Sequence, residues 1–291
     1  MILITGAGGK TGRAVIRALI SKGEPVRALV HRSDQIHSVE SLGVQAALAG
    51  DMNSPSTMDR AVQGVRAIYH ICPNVSPDEV TIGQTVIAAA LTAGIELFVF
   101  HSVLHPQAES MPHHWQKLRI EEQLLESGLP YTILQPTVYM QNILVHWEKI
   151  LNDGSYPVPY PAETRLSFVD LDDVAQVAAI VLTESGHANA TYELVGTPGL
   201  SQSQVADILS HQLGRPVRVT TVPIETWERR ARHSGMGDYQ VEALIKMFRY
   251  YARHGLCGNP QVLSWLLLRP PSTFENFIEN TARQQVQQEP I

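Results

Sequence analysis

Over its first 136 residues the chain alternates two hydrophobic patterns. Short continuous apolar runs at 1–4, 25–30, 43–49, 65–71, 96–100 and 131–135 have the length and composition of strands buried on both faces. Between them, at 13–20, 38–42, 54–62, 78–93 and 113–126, apolar residues recur at helical spacing. Gly94 and Ser127-Gly128 supply stop signals after the last two helices. Strand and helix in strict alternation predict a parallel sheet with helices on both faces, an α/β doubly wound fold of the Rossmann-like kind.

After Pro136 the pattern changes. Residues 137–151 are amphipathic and aromatic, and 152–161 read as a proline-rich loop. A short strand at 165–170 leads into a helix at 173–183, and 191–195 has strand character. Ser201 opens a helix to about 213 with Gly214 after it, and 217–222 is extended. Residues 225–253 are helical with a break at 235–237, and the polar tail 282–291 is expected to fray. This predicts a smaller, mainly helical second domain from about 137–163 plus 198–281. The first domain then takes 1–136 plus about 164–197.

The first strand runs directly into Thr5-Gly6-Ala7-Gly8-Gly9-Lys10-Thr11-Gly12 and then a helix. Strand, glycine turn and helix together form an anion cradle. Glycines let the backbone turn tightly and approach a pyrophosphate, which faces the positive helix end. Gly6, Gly9, Lys10, Thr11 and Gly12 are therefore expected at a dinucleotide. The glycine spacing is G-x-x-G-x-x-G, wider than the common dehydrogenase fingerprint. At the end of the second strand stand His31 and Arg32, with no acid between Val30 and Ser33. An acid there would repel a ribose 2′-phosphate, whereas Arg32 can fork onto one, so NADP(H) is favoured over NAD(H). Asp34 nearby counts the other way. Asp51, after the third strand, is placed for the adenine amino group, and its rival reading is a turn aspartate. Met52 and Ile71 join the cofactor set. Cys72 and Pro73 belong to the loop passing the ribose and pyrophosphate. Ser102 ends the fifth strand on the edge where ligands sit, and Pro136, Tyr139 and Asn142, at and just after the sixth, are expected toward the nicotinamide end.

Composition narrows the classes. The chain is 44% hydrophobic and 17% charged, with a net charge of −6 and no Lys/Arg run, which disfavours nucleic acid as a partner. Two distant cysteines, Cys72 and Cys257, read as reduced thiols of a cytoplasmic protein. A strand at the very start leaves no room for a signal peptide, and no apolar run is long enough for a membrane span. Among the twelve histidines, His101, His105, His113 and His114 cluster in sequence. No two of them share a helix at i, i+4, so no metal is expected.

The order of motifs resembles the atypical short-chain dehydrogenases/reductases, and within them the NmrA-like family. The resemblance rests on residues 5–12, on 26–30 with Arg32, on Gly50-Asp51, and on Lys117 with Glu121-Glu122. It continues through 127–136 (Ser-Gly-Leu-Pro-Tyr-Thr-Ile-Leu-Gln-Pro), 168–175, 247–251 and His254-Gly255. It implies a nicotinamide cofactor, a small-molecule substrate, and either reduction of a small aromatic or quinone-like acceptor or a redox-sensing regulator that turns nothing over. A homodimer is compatible with it. Ordinary short-chain dehydrogenases pair a tyrosine and a lysine at i, i+4 with a serine on the preceding strand. Here Lys117 and Ser102 fit, and His113 stands at the tyrosine position. Three readings of His113 and Lys117 follow: His113 donates the proton, Lys117 acts alone, or hydride passes to an acceptor needing no enzymic acid. A structural alternative has His113 and His114 capping the helix at the surface.

Overall fold

Parallel strands of three to six residues lie at the centre of the fold, and their continuous apolar sequences leave almost no exposed surface. The computed structural model describes residues 1–288. The first elements are β1 (Ile2–Ile4), α1 (Lys10–Ser21), β2 (Val26–Val30), α2 (Ile36–Glu40), β3 (Ala46–Ala49) and α3 (Pro55–Ala61). Next come β4 (Ala67–His70), α4 (Glu79–Ala93), β5 (Leu97–His101), α5 (Pro112–Glu126) and β6 (Tyr131–Pro136). Then follow β7 (Val138–Tyr139), a 3-10 segment (Met140–His146), α6 (Trp147–Asp153), β8 (Ser155–Val158), β9 (Arg165–Leu166) and β10 (Phe168–Val169). The remainder is α7 (Leu171–Thr183), β11 (Ala190–Leu194), β12 (Leu200–Ser201), α8 (Gln202–Leu213), β13 (Arg218–Thr221), α9 (Ile224–His233), α10 (Asp238–His254), α11 (Gln261–Leu267) and α12 (Phe274–Gln288).

Seven strands make one parallel sheet in the order β11-β6-β5-β4-β1-β2-β3. The order reverses at β1, which pairs Ile2 with Val26 of β2 on one side and with Ala67 of β4 on the other. That reversal is the switch point where doubly wound sheets leave a crevice beyond their carboxyl ends. Leu3, Ile68, Phe98, Phe100 and Ile133 of the strands pack with Val86, Ala90, Ile120 and Leu124 of α4 and α5 in one buried cluster. Gly94, left-handed at φ +62°, ends α4, its N–H donating to Leu91 O and that of Ile95 to Ala90 O.

The chain divides into two compact units, Met1–Pro136 with Val174–Glu193, and Thr137–Asp173 with the chain from Leu194 onward. The returning segment is thus shorter than the 164–197 expected from sequence. Two other expectations change. The proline-rich stretch contains β8, which hydrogen-bonds only β13 in a two-stranded parallel sheet, where an edge strand tolerates Pro157. Residues 282–288, expected to fray, continue α12, whose Phe274 and Ile278 are buried. Residues 289–291 of that expected tail lie outside the described residues.

Candidate active site

Because the strands run parallel, every residue that follows one of them arrives at the same sheet edge. The glycine turn follows β1, Arg32 follows β2, Asp51 follows β3, Ile71 to Pro73 follow β4, Ser102 follows β5, and Pro136 closes β6. At the switch point Thr5 ties the β1 and β4 ends together. Its N–H donates to Tyr69 O at 3.1 Å, and its Oγ1 accepts from Ile71 N–H at 2.9 Å and lies 2.9 Å from His70 Nδ1.

Two glycines of the turn are required by space. Gly6 sits at φ +58°, and a Cβ there would come within 2.9 Å of Ile71 O. A Cβ on Gly12 would lie 2.6 Å from Gly6 O and 2.7 Å from Ala7 Cα, so only glycine lets α1 press against the turn. α1 starts after Gly9 with no side chain capping it. The cradle is formed by main chain, with its helix dipole directed into it.

At the other end of the cradle, Gln35 joins the glycine turn to the β2 loop. Its side chain accepts from Arg32 N–H at 3.1 Å, and a Cβ on Gly8 would meet it at 2.9 Å. His31 and Arg32 are exposed, and the Arg32 guanidinium lies 3.1 Å from Asp34 in an open ion pair of the kind that holds a side chain only weakly. Asp51 makes a turn, accepting from Asn53 N–H at 2.9 Å, while Met52 joins the core. Cys72 is buried, its thiol directed at Glu79 O and burial pushing its pKa up, so it is an inert packing residue.

The residues expected to do chemistry fall into two polar groups. In the first, Lys117 Nζ donates to Glu79 Oε1 at 2.5 Å, lies 3.5 Å from His101 O, and sits 5.6 Å over the Phe100 ring. The Glu79 side chain is wholly buried and that of Lys117 17% exposed. Burial, the largest single influence, pulls the ammonium toward its neutral form, but the charge and hydrogen bond of Glu79, together with Cys72 and Glu121, outweigh it, and the lysine pKa ends above its usual value. In the second group, Ser102 donates to Glu121, whose carboxylate also accepts from Gln135 Nε2 at 2.9 and 3.1 Å. Ser102 is therefore committed to a buried carboxylate on α5. Burial raises the Glu121 pKa against those two donors.

His113 and His114 are not surface caps. They are 8% and 1% exposed, and their rings meet edge-on at 4.7 Å. Met111 and Pro112 open α5 instead, which turns the next two side chains inward. Burial, then Lys117, lowers His113 to about 4, so it is a neutral imidazole at neutral pH. The sequence reading missed Glu79, Glu121 and the pair Tyr69 and His101, whose OH and Nδ1 are 2.6 Å apart. Glu79 was visible only as an acid in a helix's first turn, where the dipole alone accounts for an acid. Pro136 is buried and accepts from Leu104 N–H at 2.9 Å. Tyr139 belongs to the second unit and pairs with Val169.

A seven-stranded parallel sheet whose switch point opens on a glycine turn and an uncapped helix defines a Rossmann-type α/β fold. Within that class the chain belongs to the NmrA-like family, whose profile matches residues 1–286. It is 32% identical over 278 residues to an NAD(P)H azoreductase of Xenophilus azovorans, covering 95% of this chain and 96% of that one. It is 25% identical over 282 residues to quinone oxidoreductase 2 of Escherichia coli, covering 96% and 98%. The crystal structure of an NADPH-dependent quinone oxidoreductase from Escherichia coli complexed with NADPH superposes with a TM-score of 0.84 at 25% identity, covering 97% of this chain and all of that one.

Proposed function

We propose that the protein is an NAD(P)H-dependent oxidoreductase that passes hydride to small aromatic, quinone-like or azo acceptors, with NADPH preferred. The observation that carries this reading is the main-chain cradle whose tight turn Gly6 and Gly12 allow, since a Cβ at either position would meet backbone atoms within 3 Å. It lies in a chain that matches an azoreductase over nearly its whole length. No helix among the described residues is long and apolar enough to cross a membrane. A bound dihydronicotinamide supplies the hydride.

The rest is done by the chain's own groups. The cradle and the N-terminus of α1, with Lys10, Thr11 and Gly9, hold the pyrophosphate. Arg32 exchanges its weak pairing with Asp34 for a 2′-phosphate, which presents more charge to the same guanidinium. Lys117 supplies a fixed positive charge at the nicotinamide end, where it orients the ribose hydroxyls and faces electron density arriving on the acceptor. His113 is neutral and Ser102 is bound to Glu121, so neither is a charged acid. The substrates that fit are those that accept hydride first and take the accompanying proton from water. Quinones and azo groups do this, and unactivated ketones do not.

The test is loss of reduced-nicotinamide absorbance with quinones, azo dyes and simple ketones, in the wild type and in Lys117→Ala. Turnover of the first two, none of ketones, and a fall of about tenfold or more in kcat/KM for Lys117→Ala are expected. Tight NADPH binding with no turnover on any acceptor would replace the enzyme with a dinucleotide-sensing regulator.

A further inference from the structure

Glu79 is the buried charge left without a role. It is the first residue of α4, its side chain has no exposed surface, and it spans to α5 to meet Lys117. Its second oxygen, Oε2, has no hydrogen-bond partner. A carboxylate buried with half its acceptors unused is a poor structural device, since an ion pair taken out of water is matched or bettered by apolar residues of the same volume. What such a pair does well is fix where a charge sits.

Among the charged groups around the ammonium that task falls to Glu79, with His101 O a neutral acceptor at 3.5 Å. Besides Glu79, the groups facing the Lys117 ammonium are Cys72 after β4, His70 and His101 at the β4 and β5 ends, and His113, His114 and Glu121 on α5. The histidines are buried and uncharged at neutral pH, and Cys72 is a buried thiol. Glu121 is occupied by Ser102 and Gln135. Of the acids, Glu79 alone touches Nζ.

We infer that Glu79 is a positioning residue, which locks Lys117 in a single orientation and in its charged form at the carboxyl edge of the sheet. The inference rests on the reductase reading only for what that charge then acts on. It also explains how the lysine serves without a neighbouring tyrosine: here it orients and neutralises charge, and is itself set by an acid 38 residues earlier in the chain.

The sequence holds five lysines, so the Lys117 Cε signal of the 13C-lysine-labelled protein is assigned by its loss in Lys117→Met. In the wild type that signal is expected to stay fixed up to about pH 10, and in Glu79→Gln to titrate about two pH units lower or more, as buried lysines without a partner do. The kcat/KM of Glu79→Gln, already lowered at about pH 6 by the lost orientation of Lys117, should fall a further tenfold or so per pH unit above the new pKa, where the wild type stays flat. Glu79→Asp keeps the charge and should keep the flat profile. A Lys117 signal in Glu79→Gln that titrates like the wild type overturns the inference, as does a lowered titration with an unchanged rate profile. If Glu79→Gln does not fold, Glu79→Leu combined with Lys117→Met decides. Folding with wild-type stability supports a positioning role, and failure to fold makes the pair structural. A wild type that turns over nothing ends the reductase reading, and the NMR titration with pH-dependent NADPH binding still decides the role of Glu79.

Discussion

Arg32 and Gly12 are two residues at which the proposed cofactor binding can be tested, in two different ways. Arg32 is exposed, and among the described residues its side chain is paired only with Asp34, so its removal costs the fold little and, under the proposed placement, costs the ligand its charge contact. Arg32→Ala should raise the Kd for NADPH by about tenfold or more while leaving NADH within about twofold, the worth of one charge-assisted phosphate contact. Equal losses for the two cofactors, measured by fluorescence titration, would remove the 2′-phosphate from this position. Gly12 acts through space. The methyl of Gly12→Ala would have to displace the backbone of Gly6 and Ala7 rather than a flexible side-chain tip. Overpacking of that kind costs about 1–3 kcal/mol, so the variant should lose several degrees in Tm and most of its affinity for either cofactor. Gly8, whose added Cβ meets only the Gln35 side chain, should tolerate alanine far better, and that contrast is the control.

Among elements, the Asp-Asp pair that opens α7 gains a physical role. Asp173 is 1% exposed and accepts from Arg269 Nη2 at 2.6 Å and from Ser272 N–H at 2.7 Å, pinning the segment that leads into α12. Asp173→Ala takes the acceptor from Ser272 N–H and the ion-pair partner from Arg269, which keeps its bond to Pro270 O, and should cost about 3 kcal/mol, read by urea unfolding. A cost under about 1 kcal/mol would mean that the segment is held by Phe274 and Ile278 instead. This contact also marks where the sequence stops being legible. Buried strands, helix periodicity and the Gly94, Ser201 and Gly214 signals are local, and each falls within a few residues of an observed boundary. Pairings across distance leave no local trace. β8 needs β13, about sixty residues on, to become a strand, and Asp173 needs Arg269. In the site the same divide separates the glycine turn, written in consecutive residues, from Glu79 with Lys117 and Ser102 with Glu121, which meet only after α4 and α5 pack. The alternative that placed His113 and His114 at the surface fails for a related reason: α5, opened by Met111 and Pro112, buries both only once it packs.

For the molecule as a whole, those buried histidines set an acid limit. Burial lowers His70, His101 and His114 to about 3 and His113 to about 4, and all four belong to the first unit. Each therefore binds a proton far more readily in the unfolded chain, whose histidines titrate near 6.5. Below that value the unfolded state takes up protons that the folded state refuses, so stability falls as the pH falls, and above about pH 7 the effect is gone. Each site loses about 1.4 kcal/mol per pH unit, or on the order of 2 kcal/mol at pH 5. Four such sites act in the same direction, so together they remove a sizeable part of a domain's stability. The Tm followed by circular dichroism should be level from about pH 7 to 8 and fall steeply toward pH 5, with His70→Phe less sensitive than the wild type. His70 suits that substitution because its ring already stacks on Phe100, 5.8 Å between centroids at 20°. A Tm that holds level down to pH 5 would mean that these imidazoles accept protons in the folded state. His113 would then be restored as an acid at the nicotinamide end of the site.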